Sequence, residues 1–389
     1  MSEWKKVTLD QMGIISRGRS KHRPRNDARL FGGSYPFIQT GDIGSAGLYV
    51  TEYSQTYNEE GLAQSKLWEK DTLCITIAAN IADTALLAFP ACFPDSIMGF
   101  TPHKNIANVK FVKYCFDILQ KDCQQISQGT AQDNLSWKKL STILFPCPPI
   151  EIQNKIATIL SRYDSLIENY QKQIKLLEES AQRLYKEWFI DLRFPGHENT
   201  KIVDGVPEGW EKKKLVDLVD VQYGYAFDGK LFNSNREGMP ILRIRNIPDG
   251  LTSDYTTEEA SNDYIAHNGD IVVGMDGIFH INSWSGDDAY LVQRTCSFRP
   301  KEEYMKGFVF QAIQEPIKFF EKTLVGATVA HLGKKHIDSI ELCVPKNFEL
   351  YQPFSKFYNQ RQGLLSQIRL LTEARDRLLP KLMSEEIEV

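Results

Sequence analysis

The chain contains two copies of one sequence pattern, and this internal repeat limits the possible folds more than any other feature. The segment from Gly129 to Lys139 aligns with the segment from Gly326 to His336 at an offset of 197 residues, and Pro148 falls on Pro345 at the same offset. Three further matches keep the same order at offsets of 206, 204 and 194 residues: Trp4–Leu9 with Trp210–Leu215, Tyr35–Ile38 with Met239–Leu242, and Ile174–Glu179 with Ile368–Glu373. The constant order predicts a duplicated chain.

Each copy begins with short β-like runs and ends in a long helical segment. The runs Asp71–Ile77 and Asp270–Val273 have Gly and Asn nearby, which is typical of strands between turns. In the helical segments, apolar residues recur at steps of three and four, the pattern of a coiled-coil seam. In the second helix, Arg361 and Arg375 interrupt this pattern. The predicted seam forms the interface of the helix pair or an interface with a partner, and comprises Ile159, Tyr163, Leu166, Ile174, Leu177, Leu184, Leu364, Ile368, Leu371 and Leu378.

The first helical segment is too long to bury its apolar stripe on one small domain. A helix over 152–188 measures roughly 55 Å at ~1.5 Å per residue, so the stripe of the second copy is the expected partner. The alternative is that each helix packs on its own domain or on another protein. We predict an α+β fold in which two pseudo-repeated mixed α/β domains are joined by two long antiparallel coiled-coil helices. The predicted boundaries are 1–150 for the first domain, 151–190 for the first central helix, 191–207 for a linker, 208–346 for the second domain and 347–389 for the second helix.

The composition of the chain excludes fewer classes of function than the internal repeat does. The formal charge of −4 over 389 residues does not itself indicate nucleic acid as a partner. The seven cysteines include no C-x-x-C pair, which favours small buried side chains in a reducing compartment. No apolar run reaches the ~18 residues of a membrane span, and the start of the chain does not resemble a signal peptide. We therefore expect a cytoplasmic protein with no membrane partner.

A basic segment near the start of the chain is the first candidate for contact with DNA. Six cations fall within residues 17–29, where the one acid is Asp27. Such a cluster suits contact with phosphates, and an arginine can also pair with guanine; the alternative is a solvated charged loop. The cations are Arg17, Arg19, Lys21, Arg23, Arg25 and Arg29.

Other candidates come from the repeated loops and from the second domain. The loops at 129–134 and 326–331 carry hydroxyl and amide side chains followed by lysines, which can position a phosphate backbone or read adenine. The tight turn at Asp276 is equally consistent with a simple hairpin and with a contact to a DNA base. For the remaining candidates of the second domain, a core or surface role is the alternative. The candidates of these groups are Thr130, Gln132, Asn134, Lys138, Thr328, His331, Lys334, Lys335, Asp276, Tyr223, Tyr225, Arg243, Arg245 and Asn246.

No catalytic motif accompanies these candidates. The chain has no nucleotide-binding G-x-x-x-x-G-K-[ST] loop and no N-P-P-Y or D-P-P-Y motif of adenine methyltransferases. His331 and His336 are five residues apart, which is not the one-face spacing of a helical zinc pair. We predict that the chain has no catalytic residue, binds no metal and is not an enzyme.

Four motifs give the chain a family resemblance. The motifs resemble those of specificity subunits of type I restriction–modification systems. Their first central region is resembled by Pro146–Glu151 with Gln153, the long helix and Trp188–Gly196. The entry into their second recognition domain is resembled by Pro207–Trp210, and their carboxy-terminal ending by Leu378–Met383. The resemblance covers essentially the whole chain. One departure is Val344-Pro345-Lys346, which replaces the Pro-Pro of the first copy and leaves the start of the second helix less well defined.

This resemblance implies a DNA-binding scaffold within a larger complex. Each target-recognition domain would read one half of a bipartite target in double-stranded DNA, with the helices as spacer and as docking site for two methyltransferase subunits. Two restriction subunits would join them. S-adenosylmethionine, ATP and magnesium would bind the partner subunits, and this chain would bind no cofactor. The main alternative is a coiled-coil adaptor that organises proteins without binding DNA; an enzyme with an unrecognised site is a second.

Overall fold

The computed structural model describes residues 4–78, 81–127, 135, 137–324 and 330–389. The chain divides into two compact units, one formed by residues 1–169 with 370–389 and the other by residues 170–369. Each unit therefore contains one part of each long helix. In the described part of the chain, no helix has both the length and the apolar character needed to cross a lipid bilayer.

The first unit is built on a five-stranded sheet with the order β2-β8-β6-β7-β4. Its core includes Phe100, Phe111 and Phe145, and the two long helices contribute Leu160 and Leu382. The strands are β1 (Lys5–Thr8), β2 (Gly13–Arg17), β3 (Phe31–Phe37), β4 (Tyr49–Val50), β5 (Gln55–Tyr57), β6 (Leu73–Thr76), β7 (Thr84–Leu87), β8 (Ile97–Pro102) and β9 (Leu144–Cys147). The helices are α1 (Leu9–Met12), α2 (Thr40–Gly44), α3 (Glu59–Ala63), α4 (Val109–Ser127), α5 (Trp137–Leu140) and the long α6 (Ile150–Tyr185).

The second unit contains a four-stranded sheet, β13-β21-β18-β19, and a five-stranded sheet, β14-β16-β15-β20-β17. After α6, a π-helical turn spans Lys186–Ile190, and the predicted linker contains the short hairpin β10–β11. The strands are β10 (Ile202–Val203), β11 (Val206–Pro207), β12 (Trp210–Lys214), β13 (Val219–Tyr223), β14 (Phe232–Asn233), β15 (Met239–Leu242), β16 (Tyr255–Thr256), β17 (Ile265–Ala266), β18 (Ile271–Gly274), β19 (Ile281–Ser283), β20 (Ala289–Leu291), β21 (Thr295–Pro300) and β22 (Glu341–Pro345). The helices are α7 (Leu215–Leu218), α8 (Lys306–Ala312), α9 (Gln314–Thr323), α10 (Lys334–Asp338) and the long α11 (Gln352–Met383).

The two units repeat the same strand pairing. The first and last strands of each domain form a two-stranded antiparallel sheet, β1 with β9 and β12 with β22. The central antiparallel arrangement β2-β8-β6 of the first domain corresponds to β13-β21-β18 of the second. The predicted fold class, with two repeated mixed domains and two long helices, is confirmed.

In the second unit the two long helices pack in antiparallel directions around a buried arginine. Tyr185 of α6 contacts Phe354 of α11, whereas Glu178 contacts Arg361, so residue numbers rise along one helix as they fall along the other. Arg361 is only 8% exposed, and its Nε donates to Glu178 Oε1 at 2.6 Å. The remaining guanidinium nitrogens donate to Ser283 and Asn282 at 2.5 and 2.7 Å. Arg361 therefore connects both helices to the sheet of its domain.

The first unit contains a second buried ion pair between the same two helices. Arg375 Nη1 of α11 donates to Asp164 Oδ1 of α6 at 2.6 Å, and the hydroxyl of Tyr114 donates to the other oxygen of Asp164. Asp164 is 8% exposed. The sequence treats Arg361 and Arg375 as interruptions of an apolar stripe; in the structure each pairs with a carboxylate of α6.

The stripe that α6 buries differs slightly from the predicted seam. In the first unit it follows Ile156, Leu160, Asp164 and Ile167, all buried. Leu166 lies beside this stripe and is 38% exposed, so it is not part of the buried helix pair, and its place in a partner interface stays a prediction. The reason is that Asp164, which the apolar pattern does not count, occupies a buried position. Of the other predicted seam residues, Ile174 is buried, and those that are half-buried are Ile159, Tyr163, Leu177, Leu184, Leu364, Ile368, Leu371 and Leu378.

Candidate nucleic-acid interface

A glycine at the end of β13 brings two candidate tyrosines against a neighbouring strand. Gly224 N donates to Thr295 O at 2.9 Å, and Tyr225 N donates to Leu291 O at 2.9 Å. A Cβ atom at Gly224 would lie 2.2 Å from the carbonyl oxygen of Val292, so any side chain there would force the two segments apart. Tyr223 and Tyr225 are thereby held on either side of the contact.

The first domain contains the same connection with different side chains. Gly18 N donates to Ile97 O at 2.8 Å, and Arg19 N donates to Phe93 O at 3.0 Å. A Cβ atom at Gly18 would lie 2.2 Å from Pro94 O. Arg17 and Arg19 therefore occupy the positions that Tyr223 and Tyr225 occupy in the second domain.

A second shared connection caps the turn that follows β3 or β15. Gln39 N donates to Asp42 Oδ2 at 2.7 Å in the first domain, and Arg243 N donates to Asn246 Oδ1 at 3.0 Å in the second. The side-chain oxygen of Asn246 is therefore engaged by the backbone of its own turn. This cap fixes the start of the turn and places Gln39 in the position of Arg243.

A third shared connection lies directly after the central strand, which is β6 in the first domain and β18 in the second. Ile77 N donates to Ser96 O at 3.0 Å and Ile77 O accepts from Leu135 N at 2.9 Å. In the second domain, Met275 N donates to Arg294 O at 2.8 Å and Met275 O accepts from Leu332 N at 2.7 Å. Ala78 and Ser96 of the first domain thus correspond to Asp276 and Arg294 of the second.

These connections lie together at one edge of each sheet. In the second domain, the end of β13, the start of β21 and the end of β18 are hydrogen-bonded neighbours, and β2, β8 and β6 have the same arrangement in the first domain. Tyr223 pairs with Cys296, and Gly274 pairs with Thr295. The turn after β15 lies alongside, because the side chain of Ile244 approaches Gly274. We call these positions the shared edge. It comprises Arg17, Arg19, Gln39, Ala78 and Ser96 in the first domain and Tyr223, Tyr225, Arg243, Asp276 and Arg294 in the second.

The basic segment of the first domain separates into paired and unpaired cations. Arg25 forms an ion pair with Asp95 at 2.5 Å, with Arg23 at 3.8 Å from the same carboxylate, and Arg29 pairs with Asp27 at 2.7 Å. Hydrogen bonding by Arg29 holds the pKa of Asp27 well below its ordinary value, which keeps this carboxylate ionised. The three remaining cations are exposed and have no ion-pair or hydrogen-bond partner for their side chains in the described part of the chain: Arg17, Arg19 and Lys21.

In the second domain, the predicted residues Asp276 and His331 lie beside Arg294, which the sequence did not indicate. His331 Nδ1 lies 2.5 Å from Asp276 Oδ1, although 55 residues separate them in the sequence. Arg294 Nε lies 3.3 Å from Asp276 Oδ2. Burial raises the pKa of the nearby Tyr223 to about 12, so its hydroxyl remains neutral and able to donate. The second domain therefore presents a mixed surface of donors and acceptors.

The other candidates have more varied positions. Arg245 is engaged by both oxygens of Asp254, which leaves its guanidinium less available to a ligand. Lys138, Lys334 and Lys335 are exposed on α5 and α10. No three His, Cys, Asp or Glu side chains of the described residues form a group suited to a metal ion. Four candidates lie outside the described residues: Thr130, Gln132, Asn134 and Thr328.

The two copies of the domain match one protein family. The family described as type I restriction modification DNA specificity domain matches residues 1–179 and again residues 207–369. The chain belongs to this family. Membership confirms the predicted family, the duplication and the prediction that the chain is a specificity subunit and not an enzyme.

Two proteins named as type I specificity subunits align with this chain over its whole length. The MjaIX specificity subunit of a type I restriction enzyme from Methanocaldococcus jannaschii is 25% identical over all of this chain and 94% of its own length. The HindI specificity subunit from Haemophilus influenzae is 23% identical over the full length of both chains. The crystal structure of a type I S subunit from M. genitalium has a TM-score of 0.59 at 17% identity, covering 98% of this chain and 96% of that one, and shares the fold.

Proposed function

We propose that this chain directs a type I restriction–modification complex to a bipartite, asymmetric target in double-stranded DNA. Residues 1–150 read one half-site and residues 208–346 read the other. The observation that carries the proposal is the shared edge, where the same three hydrogen-bonded connections present different side chains in the two domains. A conserved framework with different donors and acceptors suits two sites that bind in the same way but differ in base sequence.

The chemistry of the two edges supports different base preferences. Unpaired arginines, such as Arg17 and Arg19, contact phosphates or donate two hydrogen bonds to guanine. Tyr223 and Tyr225 offer hydroxyl groups that both donate and accept, and Asp276 offers a carboxylate that accepts from cytosine. The first edge therefore favours acceptors on the DNA, whereas the second also contacts donors.

The long helices are proposed as the spacer and as the docking site for two methyltransferase subunits, which two restriction subunits join. Exposed apolar side chains support this role, since Leu166 and Leu370 in the first unit and Leu176 in the second lie outside the cores. S-adenosylmethionine, ATP and magnesium are assigned to the partner subunits. Cations of those subunits would complement the net charge of −4 on this chain.

Exchanging residues 1–150 for the same region of a family member with another target is expected to change one half-site only. The physical reason is that each shared edge is built from the strands and turns of one domain. The measurement is the genome-wide map of methylated adenines in cells that carry the chimera together with the modification subunit. The matched exchange of residues 208–346 should change the other half-site.

A change in both half-sites, or in neither, would contradict this modular reading of DNA. The adaptor alternative predicts that deletion of the gene leaves the methylation map unaltered, and that the assembled complex shows no salt-dependent affinity for duplex DNA.

A further inference from the structure

We propose that Arg294 reads a guanine in the half-site of the second domain, with Asp276 as its positioning residue. This inference rests on the proposed function and assigns a specificity-determining residue within it. No sequence motif marks Arg294, which lies between β20 and β21 and is held at the shared edge by a backbone hydrogen bond from Met275, the residue after β18.

The guanidinium of Arg294 contacts Asp276 through Nε, and its terminal nitrogens remain available to a ligand. Its Nε lies 3.3 Å from Asp276 Oδ2, and the side chain is 53% exposed. Asp276 as a carboxylate can only accept, so His331 Nδ1 carries the proton of their 2.5 Å contact. Arg294 Nη1 lies 3.3 Å from the same Nδ1, which then has no lone pair to accept from it. Both terminal amino groups of Arg294 therefore keep donors for a ligand.

This arrangement matches the geometry of guanine recognition. Guanine presents N7 and O6 as adjacent acceptors in the major groove, and the terminal nitrogens of arginine form a planar fork that fits them. The ion pair with Asp276 at Nε restrains the guanidinium before DNA arrives. Such preorganisation reduces the conformational entropy that the side chain loses on binding.

The backbone turn around Arg294 is held in place by its neighbours. The φ of Arg294 is 72°, in the left-handed region that is costly for a residue with a side chain. Hydrogen bonds hold the turn from both sides, because Arg294 O accepts from Met275 N at 2.8 Å and Gln293 N donates to Tyr225 O at 2.7 Å. The turn therefore keeps an arginine in a strained conformation at the shared edge.

The first domain lacks this constellation. Ser96 stands in the position of Arg294 and has no positive φ, and Ala78 stands in the position of Asp276. The framework thus forms without the arginine and the carboxylate. Their presence in one domain alone is what a base preference specific to one half-site requires.

The test is the methylation map of cells that carry the full-length Arg294→Ala chain with the modification subunit. We expect the recognised sequence to be unaltered except at one position of one half-site, where discrimination in favour of guanine falls by roughly 5- to 150-fold. Arg294→Lys should lose most of the same discrimination, because lysine cannot form the bidentate contact. Asp276→Asn should relax the same position to a smaller extent.

Arg236→Ala is the matched control, because Arg236 is also exposed, also has a positive φ of 64°, and lies away from the shared edge. It should leave the methylation map unaltered. If Arg294→Ala weakens methylation uniformly at all sites, or leaves every position as selective as before, the inference is wrong. If the wild-type chain itself produces no bipartite pattern, the proposed function fails first.

Discussion

Replacing Glu178 with alanine is expected to lower the free energy of unfolding of the second unit by about 3 kcal/mol, the lower end of the range for removing one partner of a buried ion pair. The substitution leaves the buried guanidinium of Arg361 with two neutral acceptors, Asn282 and Ser283, and with no ion-pair partner among the described residues. The lower end applies because Glu178 itself is 35% exposed. Urea denaturation followed by far-ultraviolet circular dichroism measures the change.

The neighbouring Glu179 provides a matched control. Its carboxylate lies 3.7 Å from Arg183 on the same helix, and both side chains are exposed. Surface pairs of this kind contribute about 0.5 kcal/mol or less, so Glu179→Ala should barely alter the unfolding midpoint. Equal effects of the two substitutions would show that Arg361 does not depend on Glu178.

The same comparison applies to the first unit with the charges reversed. Arg375→Ala removes the counter-charge of the buried Asp164 and leaves it the hydroxyl of Tyr114 on α4 as a hydrogen-bond donor. Arg377→Ala removes only an exposed pair with Glu373 at 3.8 Å. Only the first substitution should be strongly destabilising.

Replacing Arg17, Arg19 and Lys21 together with alanine is expected to weaken binding to every DNA sequence. If each side chain contacts one phosphate, the slope of log affinity against log salt should fall by roughly 2.7, at ~0.9 per contact. The reason to choose these three is that no ion pair in the described structure engages them. Affinities of the assembled complex for target and unrelated duplexes, at several salt concentrations, give the slope.

Comparison of two single variants sharpens this measurement. Arg19→Ala should reduce the slope by about 0.9, whereas Arg29→Ala should reduce it less, because Arg29 already pairs with Asp27 at 2.7 Å. A triple variant with unaltered affinity and slope would mean that the segment is a solvated loop.

The periodicity of residues along the chain predicted those features of the fold that arise from residues close together in the sequence. The repeat, the strands at Leu73–Thr76 and Ile271–Gly274, and both long helices follow from periodicity along the chain. Arg361 and Arg375 were misjudged because their partners lie on the other helix, and apolar periodicity carries no information about partners. Leu166 was misplaced in the buried helix pair for the same reason, since Asp164 takes the buried position.

The candidate site was predictable only in part. Asp276 and His331 stood out as a turn residue and as part of a repeated loop, but their contact depends on the pairing of segments 55 residues apart. Arg294 has no local signal at all, because its position depends on a hydrogen bond from Met275 and on a positive φ. Gly18 and Gly224 could have been aligned at the offset of 206 residues that relates Trp4 to Trp210.

The charges on the two long helices set a condition for recombination between genes of this family. The carboxylates Asp164 and Glu178 both lie on α6, fourteen residues apart, and the arginines Arg361 and Arg375 both lie on α11 at the same separation. A recombinant that receives a foreign α6 keeps its buried arginines neutralised only if the incoming helix supplies both acids. A crossover before α6 leaves both acids in place, and the incoming domain keeps Asp164 hydrogen-bonded if it supplies a hydroxyl donor in the position of Tyr114. New DNA targets can therefore be acquired most safely by crossovers that end where the recognition domain ends.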